Sequence, residues 1–139
     1  MDKALNYLSL ARKAGKAELG EEPVGAAARA SHAHLIAVAC DASDHTWRRA
    51  KSYAAGTDQA CIRLPYTKDE IGMAIGRTSL AIAAITDAAL ALALVQSLPN
   101  PEKHAAVMEV LTEKAQRLRK RQSETKAHLR NRRSGKKKN

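Results

Sequence analysis

Two unbroken apolar runs organise the chain. The first is Leu35 to Cys40, and the second begins at Leu80 and ends at Thr86; an aspartate follows each run. A short apolar run without alternating polar positions is typical of a strand that is covered on both faces, because a strand with one wet face alternates. The pattern therefore predicts two central strands.

Helical spacing and turn residues fill the intervals between these strands. Leu5, Leu8 and Ala11 recur on one face of residues 3 to 14, and Gly15 is a natural stop for that helix. Further helices are predicted at 45–55, after Thr67 and at 88–98, with short strands at 16–19 and 61–64. Strands that alternate with helices predict an α/β layer fold, with a small four-stranded sheet between helices.

Helix starts are marked by capping residues. Gly20 allows a turn, Glu21 and Glu22 face the positive end of the helix dipole, and Pro23 has no N–H to leave unpaired, so a helix is predicted to begin here and to run through the alanines up to Ala30. Thr67 and Glu70 have the spacing of a capping box. Three aspartates, at 41, 44 and 87, are interpreted as helix caps.

Charge divides the chain into two parts. The formal net charge is +10, which predicts a polyanionic partner. Residues 1–98 carry 11 Lys and Arg against 10 Asp and Glu, whereas residues 99–139 carry 13 against 4. We therefore predict a near-neutral domain over 1–98 and a basic extension over 99–139, helical to about Arg121 with Glu113 and Arg117 available as an ion pair, and disordered in its last stretch, 130–139.

Nothing in the sequence has the pattern of a catalytic or metal site. Cys40 and Cys61 lack ligand spacing and are interpreted as buried thiols in a reducing cytosol, so we expect a cytoplasmic protein without metal or cofactor. Asp41 and Thr86 end two central strands, as Asp and Thr do in phosphate-accepting receiver domains. The paired acidic residues that such a domain needs for magnesium are missing, and we predict that the chain is not an enzyme.

Four segments in order carry a family resemblance: LSLARKAGKAELGEEPV, HLIAVACDAS, PYTKDEIGMAIG and the apolar strand that ends in Thr86 and Asp87. Together they make residues 4 to 98 similar to the ribosomal L-seven-Ae and L-thirty-e family, in particular to its small bacterial branch. The resemblance implies a three-layer α/β/α sandwich with a mixed four-stranded sheet. It also implies binding of RNA, typically of a kink-turn, a sharply bent internal loop with sheared G·A pairs.

The resemblance places RNA contacts in two loops that begin with glycine, and we add a neighbouring lysine. The predicted RNA-binding residues are Lys16, Gly20, Glu21, Glu22, Gly76, Arg77, Thr78 and Ser79. The chemistry is suitable, because a helix amino terminus offers N–H groups to phosphates, Lys16 and Arg77 add positive charge, and Glu22 can accept from exposed base amino or imino groups. A structural role in the first helical turn is the alternative for both glutamates, and a plain polar connection is the alternative for residues 77–79.

Two further alternatives are open. The fuller family pattern has Asn, Glu and a later Lys where this chain has Glu22, Pro23 and Ala26, which removes a donor and a phosphate-neutralising charge. The domain is therefore either a translation-associated RNA-binding protein, expected to be a monomer on ribosomal or other structured RNA, or a protein-interaction module that has lost kink-turn recognition. Trp47, with Arg48, Arg49 and Lys51, is either an RNA-stacking patch or, as we favour, an anchor of its helix.

Overall fold

The computed structural model describes the backbone of residues 2–138 and the side chains of residues 2–129. Helices and strands alternate along the described chain, as predicted. They are α1 (Lys3–Lys13), β1 (Ala17–Leu19), α2 (Glu21–Arg29), β2 (Leu35–Val38), α3 (Asp44–Ala54), β3 (Ala60–Arg63), α4 (Lys68–Ala74), β4 (Ile82–Ile85), α5 (Ala88–Gln96), a 3-10 helix (Pro101–His104) and α6 (Ala105–Lys138).

The four strands form one mixed sheet in the order β1-β4-β2-β3. β4 runs antiparallel to both of its neighbours, β1 and β2, whereas β2 and β3 are parallel. Every residue of β2 and β4 is buried. The two apolar runs are therefore the central strands, which confirms the prediction.

Helices cover both faces of the sheet. Leu35, Ala37, Ala83 and Ile85 face a large apolar cluster shared with α1, α4, α5 and the beginning of α6. The alternate strand residues face a smaller cluster with α2 and α3; they are Ile36, Val38, Ile82 and Ala84. The predicted three-layer α/β/α sandwich is thus the observed fold.

The helix caps confirm part of the prediction and correct the rest. Asp87 accepts a hydrogen bond from the N–H of Leu90, and both hydrogen bonds of the Thr67–Glu70 capping box are present. Asp44 was predicted to cap α3, but Ser43 caps it, and Asp44 is the first helical residue.

Asp41 also differs from its predicted role at the start of α3. Its carboxylate accepts from the N–H of Lys68 at 2.8 Å and thereby joins the end of β2 to the start of α4.

The carboxyl-terminal helix packs against the domain to a greater extent than predicted, and it is longer. Leu111 is fully buried and Ala115 nearly so, because the first turns of α6 pack on α5 and contribute to the larger cluster. The helix does not end near Arg121 but continues to Lys138. The prediction weighed the loss of apolar residues after Leu118, whereas Lys, Arg, Gln, Glu and Ala have high helix propensity, and a helix that is already formed propagates through them. The disorder predicted for 130–139 is therefore not seen in the backbone of 130–138, and Asn139 lies outside the described residues.

The two cysteines were predicted to be buried, and this was wrong for Cys40. Burial extends one residue beyond β2, to Ala39, and Cys40 is exposed where the chain turns away. Cys61 is half-buried on β3, and this burial raises the pKa of its thiol to about 11. No described helix has the length and apolar content that crossing a membrane requires.

Candidate nucleic-acid interface

Sheet topology brings the two predicted loops together. The chain leaves β1 at the same end of the sheet at which it enters β4, because these strands are antiparallel neighbours. The N–H of Gly20 donates to the carbonyl of Ile82 at 3.0 Å, and only two residues separate Ile82 from Ser79. The end of β2 joins them, since the N–H of Ala39 donates to the carbonyl of Ala81. We call residues 20–23 and 76–79 together the glycine-loop end.

The first loop turns sharply into α2. Gly20 has a φ of 98°, which L-residues with a side chain rarely adopt, and it caps α2 without a side-chain hydrogen bond. Glu22, Pro23 and Ala26 are all exposed. The first turn of α2 therefore presents the Glu22 carboxylate and the first helix N–H groups to the solvent.

Glu21 is partly exposed and is tied to α3 through both of its carboxylate oxygens. One carboxylate oxygen accepts from the hydroxyl of Thr46 at 2.8 Å, and the other lies 3.5 Å from a guanidinium nitrogen of Arg49. Because Thr46 is buried, this hydrogen bond fixes the start of α2 against α3. RNA contact by Glu21 stays a prediction. Among the described side chains, Glu22 makes no comparable hydrogen bond or ion pair.

The second loop packs tightly on α4. Gly76 has a φ of 76°, and the N–H of Arg77 donates to the carbonyl of Gly72 at 2.8 Å. A Cβ at Gly72 would lie only 2.5 Å from the Cα of Ser79, so the absence of a side chain there lets the loop approach the helix. Residues 76–79 are exposed, with a backbone that α4 supports.

Met73 was missed by sequence reasoning. It lies on α4 beside the second loop, and 82% of its surface is exposed. The signal that could have found it is the spacing of Ile71 and Ile75, which places these two apolar residues on one helix face and Met73 on the opposite face.

Lys16 does not join the glycine-loop end. Its carbonyl accepts from the N–H of Thr86, at the start of β1 and the far end of β4. Four residues of extended chain, about 13 Å, separate it from Gly20. Residues that are close in sequence along a strand lie apart across the sheet, so Lys16 is at the other end of β1 from Gly20. RNA contact by Lys16 stays a prediction.

Trp47 has the anchoring role that we favoured. Its half-buried ring packs against the smaller apolar cluster between α3 and the sheet. The guanidinium of Arg63 lies 4.6 Å from the ring centroid, and the amine of Lys51 lies 5.5 Å away. The Arg63 contact joins α3 to the edge strand β3, whereas the Lys51 contact lies within α3.

The sandwich with its two apposed loops defines the class of fold, which solved structures of other proteins share. The Giardia lamblia 15.5kD RNA binding protein has a TM-score of 0.61 to this chain, at 16% identity over 76% of this chain and 87% of that one. A protein with unknown function from Bacillus halodurans has a TM-score of 0.56, at 24% identity over 78% of this chain and 99% of that one. These likenesses concern the fold.

Sequence similarity shows the family. The chain is 36% identical to the RNA-binding protein YlxQ of Enterococcus faecium over 75 residues, which are 54% of this chain and 72% of the relative. No family model matches the chain. The chain therefore belongs to the family of the bacterial protein YlxQ, in agreement with the resemblance to the small bacterial branch of the L-seven-Ae and L-thirty-e proteins.

Proposed function

We propose that this chain is a non-catalytic RNA-binding protein of the translation apparatus, which recognises a structured RNA of the kink-turn kind at its glycine-loop end. The observation that carries the proposal is the hydrogen bond between Gly20 and Ile82, which makes one continuous surface of two loops far apart in sequence. The name of the relative YlxQ, an RNA-binding protein, supports the choice of ligand.

The chemistry of this surface suits shape recognition better than electrostatic attraction. The N–H groups at the start of α2 can donate to phosphate oxygens, and Arg77 can pair with a phosphate. Glu22 repels phosphates but accepts from amino and imino groups of bases, which a kinked loop exposes and a regular duplex hides. A ligand that gains from Glu22 must therefore offer unpaired base edges.

The basic α6 completes the proposed binding mode. Its positive charges hold phosphates without reading sequence, and this attraction weakens as salt is added. Association with the ribosome, a monomeric state and a cytoplasmic location belong to the same proposal.

A second candidate is a protein-interaction module that has lost kink-turn recognition. Met73 favours it, because a flexible and largely exposed apolar side chain beside the loops is typical of a surface that binds other proteins. Ala26 is compatible with it, since the position offers no charge to a phosphate. On this alternative α6 is the sole RNA contact.

The two candidates predict different affinity ratios for the whole chain. We propose to titrate it with a kink-turn RNA and with a plain hairpin duplex of equal length. Glu22→Ala removes the acceptor and some repulsion, so it should reduce the preference for the kink-turn more than the affinity itself. A base contact of about 1 to 3 kcal/mol corresponds to a loss of preference of roughly 5- to 150-fold.

Matched substitutions control for charge. Glu109→Ala removes an exposed helical glutamate in α6, outside the glycine-loop end, and should leave the preference unchanged. Arg77→Ala should reduce it, whereas Arg12→Ala, at the end of α1, should not. Equal binding of both RNAs by the unaltered chain would reject kink-turn recognition and favour the interaction module.

A further inference from the structure

A basic cleft lies at the end of the sheet opposite the glycine-loop end. It has a volume of about 250 Å³ and is bounded by α6 on one side and by the turn between α2 and β2 on the other. Its lining residues from α6 are Lys114, Arg117, Leu118 and Arg121. Ser31, His34, Asp58 and Ala88 line the rest. The proposed function assigns phosphate contact to α6 as a whole and gives the cleft, with its second wall, no role of its own.

The side chains from α6 reach the cleft because of helical spacing. Lys114, Arg117 and Arg121 are three and four residues apart and therefore lie on one face of the helix. Leu111 and Ala115, both buried, fix that part of α6 against the body. The predicted ion pair between Glu113 and Arg117 is absent: among the described side chains, the ion pairs join Arg49 to Glu21 and Lys114 to Asp58.

The positive charge of the cleft is only partly neutralised. The ammonium of Lys114 is mostly buried, donates to the carbonyl of Asp58 at 2.8 Å and lies 3.4 Å from its carboxylate. This contact uses the one carboxylate that lines the cleft. Arg117 and Arg121 are exposed and leave an excess of two positive charges. The cleft therefore attracts an anion.

The opposite wall is held rigidly by a buried glutamine. Gln59 accepts from the N–H of Ala33 at 3.0 Å and donates to the carbonyl of Ala28 at 3.1 Å, which fixes both sides of the turn after α2. Ser31 in this turn has a φ of 60° and an exposed side chain. Burial lowers the pKa of His34, and the nearby charge of Lys114 lowers it further. The imidazole is therefore neutral at pH 7 and can donate a hydrogen bond without adding charge. The wall offers polar groups in positions set before any ligand arrives.

The remainder of α6 indicates what kind of anion fits. From Lys114 to Lys138 the sequence has twelve Lys and Arg against one Glu, and this stretch of helix is about 36 Å long. A basic rod that continues from the cleft suits a linear polyanion with charge at regular intervals, rather than an isolated acidic side chain. Guanidinium groups are also suited to bidentate pairing with phosphate.

We propose that this cleft binds the phosphate backbone of an RNA helix, with Arg117 and Arg121 as the phosphate ligands and Ser31 and His34 as hydrogen-bonding groups on the opposite wall. The inference rests on the proposed RNA binding and assigns the phosphate contact of α6 to a defined, two-walled site. The two ends of the sheet then have separate tasks, since the glycine-loop end recognises a bent RNA and the cleft holds an adjoining regular helix.

The test uses the full chain and a plain RNA hairpin, which contains no kink-turn. Arg117→Gln with Arg121→Gln should lower the slope of log Kd against log salt by about 1.5 to 2, because two phosphate contacts are lost. Arg119→Gln with Lys120→Gln removes the same charge from exposed positions of α6 outside the cleft and should lower it by clearly less. Equal effects of the two pairs of substitutions would mean that the positive charges of α6 attract RNA wherever they lie on the helix, and this result would overturn the proposal.

A second measurement is independent of α6. The backbone amide signals of Ser31 and His34 should shift when the hairpin is added to the unaltered chain, and they should shift much less in the Arg117/Arg121 variant. Shifts confined to α6 would contradict a two-walled site. Both results are separable from kink-turn recognition, because the cleft variant should keep the ratio of kink-turn to hairpin affinity, and Glu22→Ala should keep the hairpin affinity.

Discussion

Gly72→Ala tests the packing that supports the second loop. A Cβ at this position would lie 2.5 Å from the Cα of Ser79, 2.7 Å from its nitrogen and 2.9 Å from its carbonyl carbon. All three are backbone atoms, so no side chain can rotate away. The loop must retreat by about 0.9 Å to restore a van der Waals distance of 3.4 Å.

Two opposing effects set the size of the change. Overpacking of this kind costs about 1 to 3 kcal/mol, whereas replacing glycine by alanine within a helix recovers roughly 0.8 to 1 kcal/mol. Because all three close atoms are backbone, we take the upper part of the overpacking range, about 2 to 3 kcal/mol, and expect the free energy of unfolding to fall by a net of about 1 to 2 kcal/mol. This loss lowers Tm by roughly 4 to 10 °C for a domain of this size. Because the displaced residues include 77–79, the preference for a kink-turn should fall as well.

Thermal unfolding and the paired RNA titration measure the two effects. Gly15→Ala is the matched control, since Gly15 has a φ of 72°, a Cβ there would meet no atom within 4 Å, and the residue lies at the turn between α1 and β1, away from the glycine-loop end. It should lower Tm through backbone strain and leave the RNA preference intact. A Gly72→Ala variant as stable as the unaltered chain, or more so, would refute the packing argument.

Three further predictions concern the fold. Asp2→Ala should lower the free energy of unfolding in urea by about 1 to 2 kcal/mol, and by more than Tyr66→Phe does, because Asp2 accepts both the capping hydrogen bond from Ala4 and the 2.6 Å hydrogen bond from the Tyr66 hydroxyl. Equal losses in the two variants would contradict the capping role. Folding lowers the pKa of His34, so at low pH the unfolded chain binds a proton that the folded chain does not, and the free energy of unfolding should fall as pH drops below about 6.5. His34→Gln should reduce this fall, and parallel pH curves for the variant and the unaltered chain would contradict the prediction. The exposed thiol of Cys40 should react fast with a thiol reagent near pH 8, whereas the thiol of Cys61, whose pKa is raised to about 11, should react slowly. Two fast-reacting thiols, or a fast phase that persists in Cys40→Ser, would contradict this prediction.

Local patterns predicted the elements whose causes are local. The buried strands β2 and β4 follow from apolar runs, and the caps at Thr67 and Asp87 involve partners three residues away. The family resemblance supplied the pairing of the two loops, which pattern alone does not contain. The order of the strands then explains why residues 20 and 82 meet.

Long-range partners determine what sequence reasoning could not show. An aspartate at position 41 is a suitable residue type to cap the next helix, but its carboxylate accepts from the N–H of Lys68, 27 residues away. Glu21 is likewise committed to Thr46, 25 residues away. Lys16 is four positions from Gly20 but at the other end of the sheet, and no pattern of residue types shows this until the direction of β1 is known. The basic cleft depends on how α6 crosses the body and was missed for the same reason.

The most direct test of the central claim is a comparison of two RNA footprints on the full chain by amide chemical shifts, one with a kink-turn RNA and one with a plain hairpin. We expect the two footprints to differ at residues 20–22 and 76–79, while both RNAs shift Ser31, His34 and α6. Footprints that coincide everywhere, or that differ only at the opposite end of the sheet, would contradict recognition by the glycine-loop end.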